Sequence, residues 1–154
     1  MKKLLCSLFA LSAVSTAMAQ EVNIKLLGTS DIHGRVVPWS YGADVEDKSG
    51  SYAQIATYVK DVRKNNKNVV LVEVGDAIQD NQIDVFAKDK KYYKDHPIPK
   101  VLNEMKYDVF VLGNHEFNFG MEALDEILKD IKAKKLTANF YYKKNDKRYI
   151  DATT

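Results

Sequence analysis

The chain has 154 residues, 45% of them hydrophobic, which is enough apolar material for one modest domain and leaves no low-complexity tract that would read as disorder. Its formal net charge of +2 rests on Lys2 and Lys3; without them the 23 Lys and Arg fall to 21 and balance the 21 Asp and Glu. There is no basic stripe, and so no basis for a nucleic-acid polymer or an acidic lipid surface as partner.

The first 19 residues carry the marks of a signal peptide: a positive start at Lys2 and Lys3, a short apolar run from Leu4 to Val14, and Ala17-Met18-Ala19 as a small-residue cleavage site. The mature chain is then 20–154 and exported, to a periplasm, a cell surface or the medium. The apolar run is too short for a membrane span and no second one follows, so no stable membrane anchor is expected. The single cysteine, Cys6, leaves with the leader. Disulfides, thiolate catalysis and Cys-ligated zinc are thereby excluded from the mature chain.

In chain order, Val22 to Thr29 reads as a buried strand. A long connection follows, carrying Gly34, Pro38, Gly42 and Gly50, and its length marks a functional surface. Its acids Asp44, Glu46 and Asp47 read as solvated, and Trp39 and Tyr41 as aromatics that pack the loop down or stack on a base. From Ser51, apolar residues at Tyr52, Ile55, Ala56, Val59 and Val62 keep helical spacing. Val69 to Val74 is a second buried strand, and a weaker helix lies around Ile83 to Ala87. Asp80 and Asp84 follow Asp76 at helical spacing and read as a polar face. His96-Pro97 opens a helix with Ile98, Val101, Leu102 and Met105 on one face, His96 itself being a solvated helix-start residue. Val109 to Leu112 is a third strand. Gly120 leads into a helix with Met121, Leu124, Ile127, Leu128 and Ile131 in register. Leu136 to Asn139 is a short fourth strand, and Phe140 to Ile150 a hairpin about an Asn145-Asp146 turn. The alternation gives an α/β fold with a largely parallel sheet.

Three runs place metal-ligand residues where these strands end: Asp31-Ile32-His33 after the first, Gly75-Asp76 after the second, and Gly113-Asn114-His115-Glu116 after the third. In open α/β sheets, sites form beyond the carboxyl ends of the strands. Each run has an ordinary alternative. Asp31 could close an Asx-turn beside an exposed histidine, Asp76 could cap a helix, and Asn114-His115 could turn into the Gly120 helix. Taken together in strand order they describe one site. Asp31 and His33 fall on the same side of an extended segment. Asp76 is placed to bridge two ions roughly 3.5–4 Å apart. Oxygen and imidazole donors suit hard to borderline divalent metals.

T-S-D-I-H-G-R, V-G-D-A-I-Q-D-N and L-G-N-H-E-F-N-F-G resemble, in order and spacing, the calcineurin-like metallophosphoesterases, and within them the exported bacterial 5′-nucleotidase and 2′,3′-cyclic-nucleotide phosphodiesterase branch. The resemblance runs from Val22 to about Tyr142. It implies a four-layer αββα sandwich, of which this chain carries the N-terminal half, and two divalent metal ions (Mn, Zn, Mg or Fe). Asp31 and His33 would hold one ion, Asp76 would bridge both, and Asn114 would hold the second. His115 would contact the phosphate of a nucleotide or other phosphoester substrate and act as an acid. Where the 5′-nucleotidases carry an Asp to orient that histidine, this chain has Asn118, which could accept from the ring through its oxygen, as in the cyclic-phosphodiesterase-like members. The family's later histidines, including a G-H-x-H motif, are absent. The domain 20–154 is therefore expected to be incomplete at its C-terminus, its partner being the missing C-terminal half of the same protein. The alternative is an inactive, truncated metal- or ligand-binding domain.

Overall fold

The computed structural model describes residues 21–150; residues 1–20, where the signal peptide and its cleavage site are expected, and 151–154 lie outside them. Strand β1 is Lys25–Thr29, and β2 (Trp39–Ser40) and β3 (Val45–Glu46) form a small antiparallel hairpin inside the long loop. Helix α1 is Tyr52–Asn65, with Ser51 as its N-cap and Arg63 and Lys64 in its last turn, where cations meet the negative end of the helix dipole. Strand β4 is Val69–Glu73. A 3-10 turn at Gln82–Asp84 leads into the one-turn helix α2, Val85–Lys88, and a second at Lys90–Asp95 leads into α3, Pro97–Glu104. Strand β5 is Val109–Val111, α4 is Met121–Lys129 and β6 is Lys134–Leu136. The hairpin of β7 (Tyr141–Tyr142) and β8 (Lys147–Arg148) follows, with Asp146 at φ 52° in its turn.

The main sheet is parallel with order β1-β4-β5-β6. The order never reverses. Right-handed crossovers, which parallel strands nearly always take, therefore put every connecting helix on the same face. Burial follows that rule. Leu71 and Phe110 are fully buried and share a core with Tyr52 and Val59 of α1, Ile98 and Leu102 of α3, and Leu124 and Ile127 of α4. On the opposite face Leu26 is 71% and Val74 50% exposed, and Val70, Val72, Val109 and Val111 are only half-buried.

Several expectations need correction. The first strand begins at Lys25, not Val22, and it is an edge strand rather than a buried one: Val22 and Ile24 precede it exposed, and Leu26 faces solvent. An apolar run records that a segment wants cover, not that it has it. The fourth strand lies two residues earlier than its aliphatic end suggests, because Lys134 and Lys135 pair with Val109 and Phe110, the Lys135 ammonium reaching the Ile131 carbonyl at 2.7 Å. Met121 is 39% exposed although it falls in register with the buried face of α4. Asp80 and Asp84 lie on no common helix; the Asp84 carboxylate accepts from the Asp80 N–H at 2.8 Å, with Asp80 at φ 101°.

His96 is the largest departure. It is 1% exposed, it caps α3 by accepting the Ile98 N–H on Nδ1, and its ring stands edge-on to Phe86. Burial pushes its pKa down to about 4, so it is neutral. Its polar neighbours Lys94 and Asp95 suggest solvent, but capping turns the ring inward.

Candidate metal centre

The chain past β1 continues alongside the chain past β4. The Asp31 N–H donates to the Gly75 carbonyl (3.1 Å), His33 N–H to Asp76 (2.9 Å) and Gly34 N–H to Ala77 (2.9 Å). This backbone rail sets the D-x-H run beside the G-D run. Asp31 (φ 56°), His33 (φ 51°) and Asp76 (φ 57°) all adopt left-handed backbone. That corrects the extended geometry expected of Asp31 and His33. It also costs on the order of 1 kcal/mol or more per residue, a strain that collects at functional sites. Asp31, His33 and Asp76 each offer a ligand atom, and these atoms lie within 4.8 Å of one another. His33 Nδ1 is buried and has no hydrogen-bond partner. The other ring nitrogen, Nε2, lies 3.9 Å from Asp31 Oδ1, and two carboxylates with one imidazole make a donor set that fits a divalent cation.

The third run is locked to the second. Gly75 (φ +107°) and Gly113 pass in close contact: a Cβ on Gly75 would stand 2.6 Å from Gly113 Cα, and one on Gly113 would stand 2.8 Å from Asp76 Cγ. Only glycine fits either place. Glu116, fully buried, spans the crossing. Its carboxylate accepts the N–H groups of Asp76 (2.8 Å), Ala77 (2.7 Å) and Gly113 (2.6 Å). The His115 N–H in turn donates to Asp76 Oδ1 at 2.9 Å. Asn114 opens the 3-10 turn His115–Phe117 and is exposed, its side chain making no capping bond. The turn is backed by Phe117, whose ring packs on Phe140 at 4.9 Å.

The His115 ring stands 5.2 Å from that of His33, edge to face. Asn118 does reach it, but with Nδ2, 2.9 Å from Nδ1, rather than with the expected oxygen. Gln79 supplies the oxygen, its Oε1 lying 2.9 Å from the same Nδ1. An open cleft of about 940 Å³ extends from Asp31 and His33 past Arg35 to Trp39, Tyr41 and Phe86. Trp39, 40% exposed, and Tyr41, 60% exposed, stand on the wall of that cleft; Arg35, paired with Asp47 at 3.3 Å and bonded to Ser49, ties the loop together.

Besides Gln79, three residues with a part in the site stand out only in the structure. Glu116 lies inside a quoted run, three residues after the Gly113 whose N–H it accepts. Asn81 donates to the His33 carbonyl at 2.6 Å. Glu73 is fully buried behind the site, its Oε2 accepting from Thr29 Oγ1 (2.7 Å) and the Tyr52 hydroxyl (2.9 Å); burial pushes its pKa up to about 7.

A parallel sheet that gathers carboxylates and imidazoles beyond its strand ends defines an α/β protein with a candidate metal centre. The calcineurin-like phosphoesterase family matches residues 24–152, and the chain belongs to it. The chain is 36% identical over 139 residues to the trifunctional nucleotide phosphoesterase YfkN of Bacillus subtilis, covering 85% of this chain and 9% of that protein. It is 36% identical over 131 residues to the 2′,3′-cyclic-nucleotide 2′-phosphodiesterase/3′-nucleotidase of Haemophilus influenzae, covering 82% of this chain and 20% of that one. To the human 5′-nucleotidase it is 33% identical over 142 residues, covering 86% and 23%. The crystal structure of YfkN superposes with a TM-score of 0.76 at 34% identity, over 82% of this chain and 40% of that one. The chain thus spans less than a quarter of the length of each of these three relatives. Among the described residues, no helix is long and apolar enough to cross a membrane.

Proposed function

We propose that the protein carrying this chain is an exported, two-metal phosphoesterase acting on nucleotides, with residues 20–154 as the N-terminal half of its catalytic domain. The observation that carries this reading is the convergence of Asp31, His33 and Asp76 within 4.8 Å, with Asp76 Oδ1 tied to the His115 backbone. Asp31 and His33 would hold one ion, Asp76 would be shared, and Asn114 would serve the second. Bound at these residues, divalent ions would supply Lewis acidity and lower the pKa of a coordinated water. His115 binds the phosphate and passes a proton to the leaving oxygen. The half-buried aliphatic face of the sheet is where the family's second sheet would pack, and the remaining histidine ligands would come from there.

The groups about His115 Nδ1 are the neutral amides of Gln79 and Asn118, with no carboxylate, and on this ground we assign the substrate to the 2′,3′-cyclic-nucleotide and 3′-nucleotide side of the branch, with 5′-nucleotides second. The full-length protein, supplied with Mn²⁺ or Zn²⁺, is assayed on all three substrate types and on an aryl phosphate diester. Cyclic and 3′ substrates should turn over fastest, and Asp76→Ala should lose bound metal and hydrolysis together. Normal metal content and turnover in Asp76→Ala would sink the bridging role; no hydrolysis of any phosphoester by the metal-loaded wild type would sink the function.

A further inference from the structure

We propose that Gln79 is the positioning residue of His115: its side-chain oxygen accepts the ring's Nδ1–H, and Asn118 holds Gln79 rather than the ring. This rests on the phosphoesterase reading above for its consequence, though not for its geometry. Three polar atoms meet here. Gln79 Oε1 is 2.9 Å from His115 Nδ1, Asn118 Nδ2 donates to that Oε1, and the same Nδ2 is 2.9 Å from Nδ1. A carbonyl oxygen has two lone pairs and can take both hydrogens, whereas an amide nitrogen only donates. If Asn118 donated to the ring, Nδ1 would have to be a bare acceptor. With Asn118 Nδ2 directing a hydrogen at Gln79 Oε1, the second lone pair of that oxygen is free for Nδ1–H, and the Asn118 nitrogen offers the ring no acceptor. The partner of a histidine's far nitrogen sets which tautomer it holds and how the ring is turned.

The delivery of Gln79 supports this role. It is half-buried, on a segment fixed on both sides. Upstream, Ala77 N–H is held by Glu116; downstream, Asn81 is bonded to the His33 carbonyl. The ring is confined on another side by His33, edge to face at 71°.

The test uses the full-length, Mg²⁺-loaded protein with Gln79→Met, which keeps the length and removes the acceptor, Gln79→Glu, which keeps an acceptor oxygen, and Gln79→Met/Asn118→Asp, which moves the acceptor to the neighbouring position. Gln79→Met should lower kcat roughly tenfold or more, within the range a proton-transfer group supplies, with KM within about twofold and metal content unchanged. Gln79→Glu should keep most of kcat, and the double variant should recover it. Independently of turnover, ¹⁵N spectra of ring-labelled histidine, with His115 assigned by its loss in His115→Gln, should show hydrogen on Nδ1 in the wild type and a changed pattern in Gln79→Met. Unchanged kcat in Gln79→Met, equal losses in the Met and Glu variants, or identical ring spectra would overturn the proposal. If no phosphoester is hydrolysed, the ring spectra alone decide it: a shift in Gln79→Met upholds the contact while the phosphoesterase reading falls.

Discussion

Glu116 does with one carboxylate what three separate partners would otherwise do. It accepts the N–H groups of Asp76, Ala77 and Gly113, so two loops 40 residues apart in sequence become one piece. A buried carboxyl group that accepts three N–H bonds is costly to disturb, because each donor it loses is left unpaired away from water. Glu116→Gln would turn an NH₂ toward at least one of those N–H groups. We expect a loss of about 2–3 kcal/mol, read as a lower denaturant midpoint at constant slope, with weaker metal binding because Asp76 is released. A variant as stable as wild type would show that the loops hold together without it. The strained backbone at Asp31, His33 and Asp76 belongs to the same account, since packing on this scale is what keeps three non-glycine residues at positive φ.

At the scale of elements, two buried groups pull stability in opposite directions with pH. Glu73 ends β4, and burial raises its pKa from 4.5 to about 7. The folded state therefore binds the extra proton, and this contribution is full below pH 4.5 and lost as pH rises through 7. His96 caps α3, and burial lowers its pKa from 6.5 to about 4. Its contribution is present above pH 6.5 and lost as pH falls through 4. Each amounts to about 3 kcal/mol at most, so between these limits they largely cancel. Relative to wild type, Glu73→Gln should gain stability as pH rises from 4.5 to 7, and His96→Asn as pH falls from 6.5 to 4. Unfolding free energies measured across that range check both slopes, and parallel curves would refute them. These groups also show what periodicity can and cannot reveal. The helices at Tyr52, Pro97 and Met121 and the strands at Val69 and Val109 were legible because their apolar spacing is local. The D-x-H, G-D and G-N-H runs were legible because each follows its strand directly. The inward turn of His96 and the meeting of Gln79 with His115, 36 residues away, depend on tertiary placement that no local pattern records.

As a whole molecule, the described residues form one helix-covered sheet with its other face open. Parallel sheets are nearly always covered on both faces. Two expectations follow at this scale. Residues 20–154 alone, given excess Mn²⁺ or Zn²⁺, should show no phosphoesterase activity, because they carry at most four of the proposed ligands: Asp31, His33 and Asp76, which cluster, and Asn114. Turnover comparable with the full-length protein would require replacement ligands among residues assigned here to structure. Exported protein should begin at Gln20, or its cyclised form, on N-terminal sequencing; a product retaining Lys2 and Lys3 would refute export by this leader.

The open face has a calorimetric signature. Unfolding heat capacity tracks the apolar area newly exposed to water, about 12–15 cal/mol/K per residue for ordinary domains, or roughly 1.6–2.0 kcal/mol/K for residues 21–150. Leu26 and Val74, with the half-buried Val70, Val72, Val109 and Val111, are already wet before the chain unfolds. The isolated unit should therefore fall below that range. Its stability curve should be flatter than its length suggests, with a shallow optimum and little sensitivity to cooling.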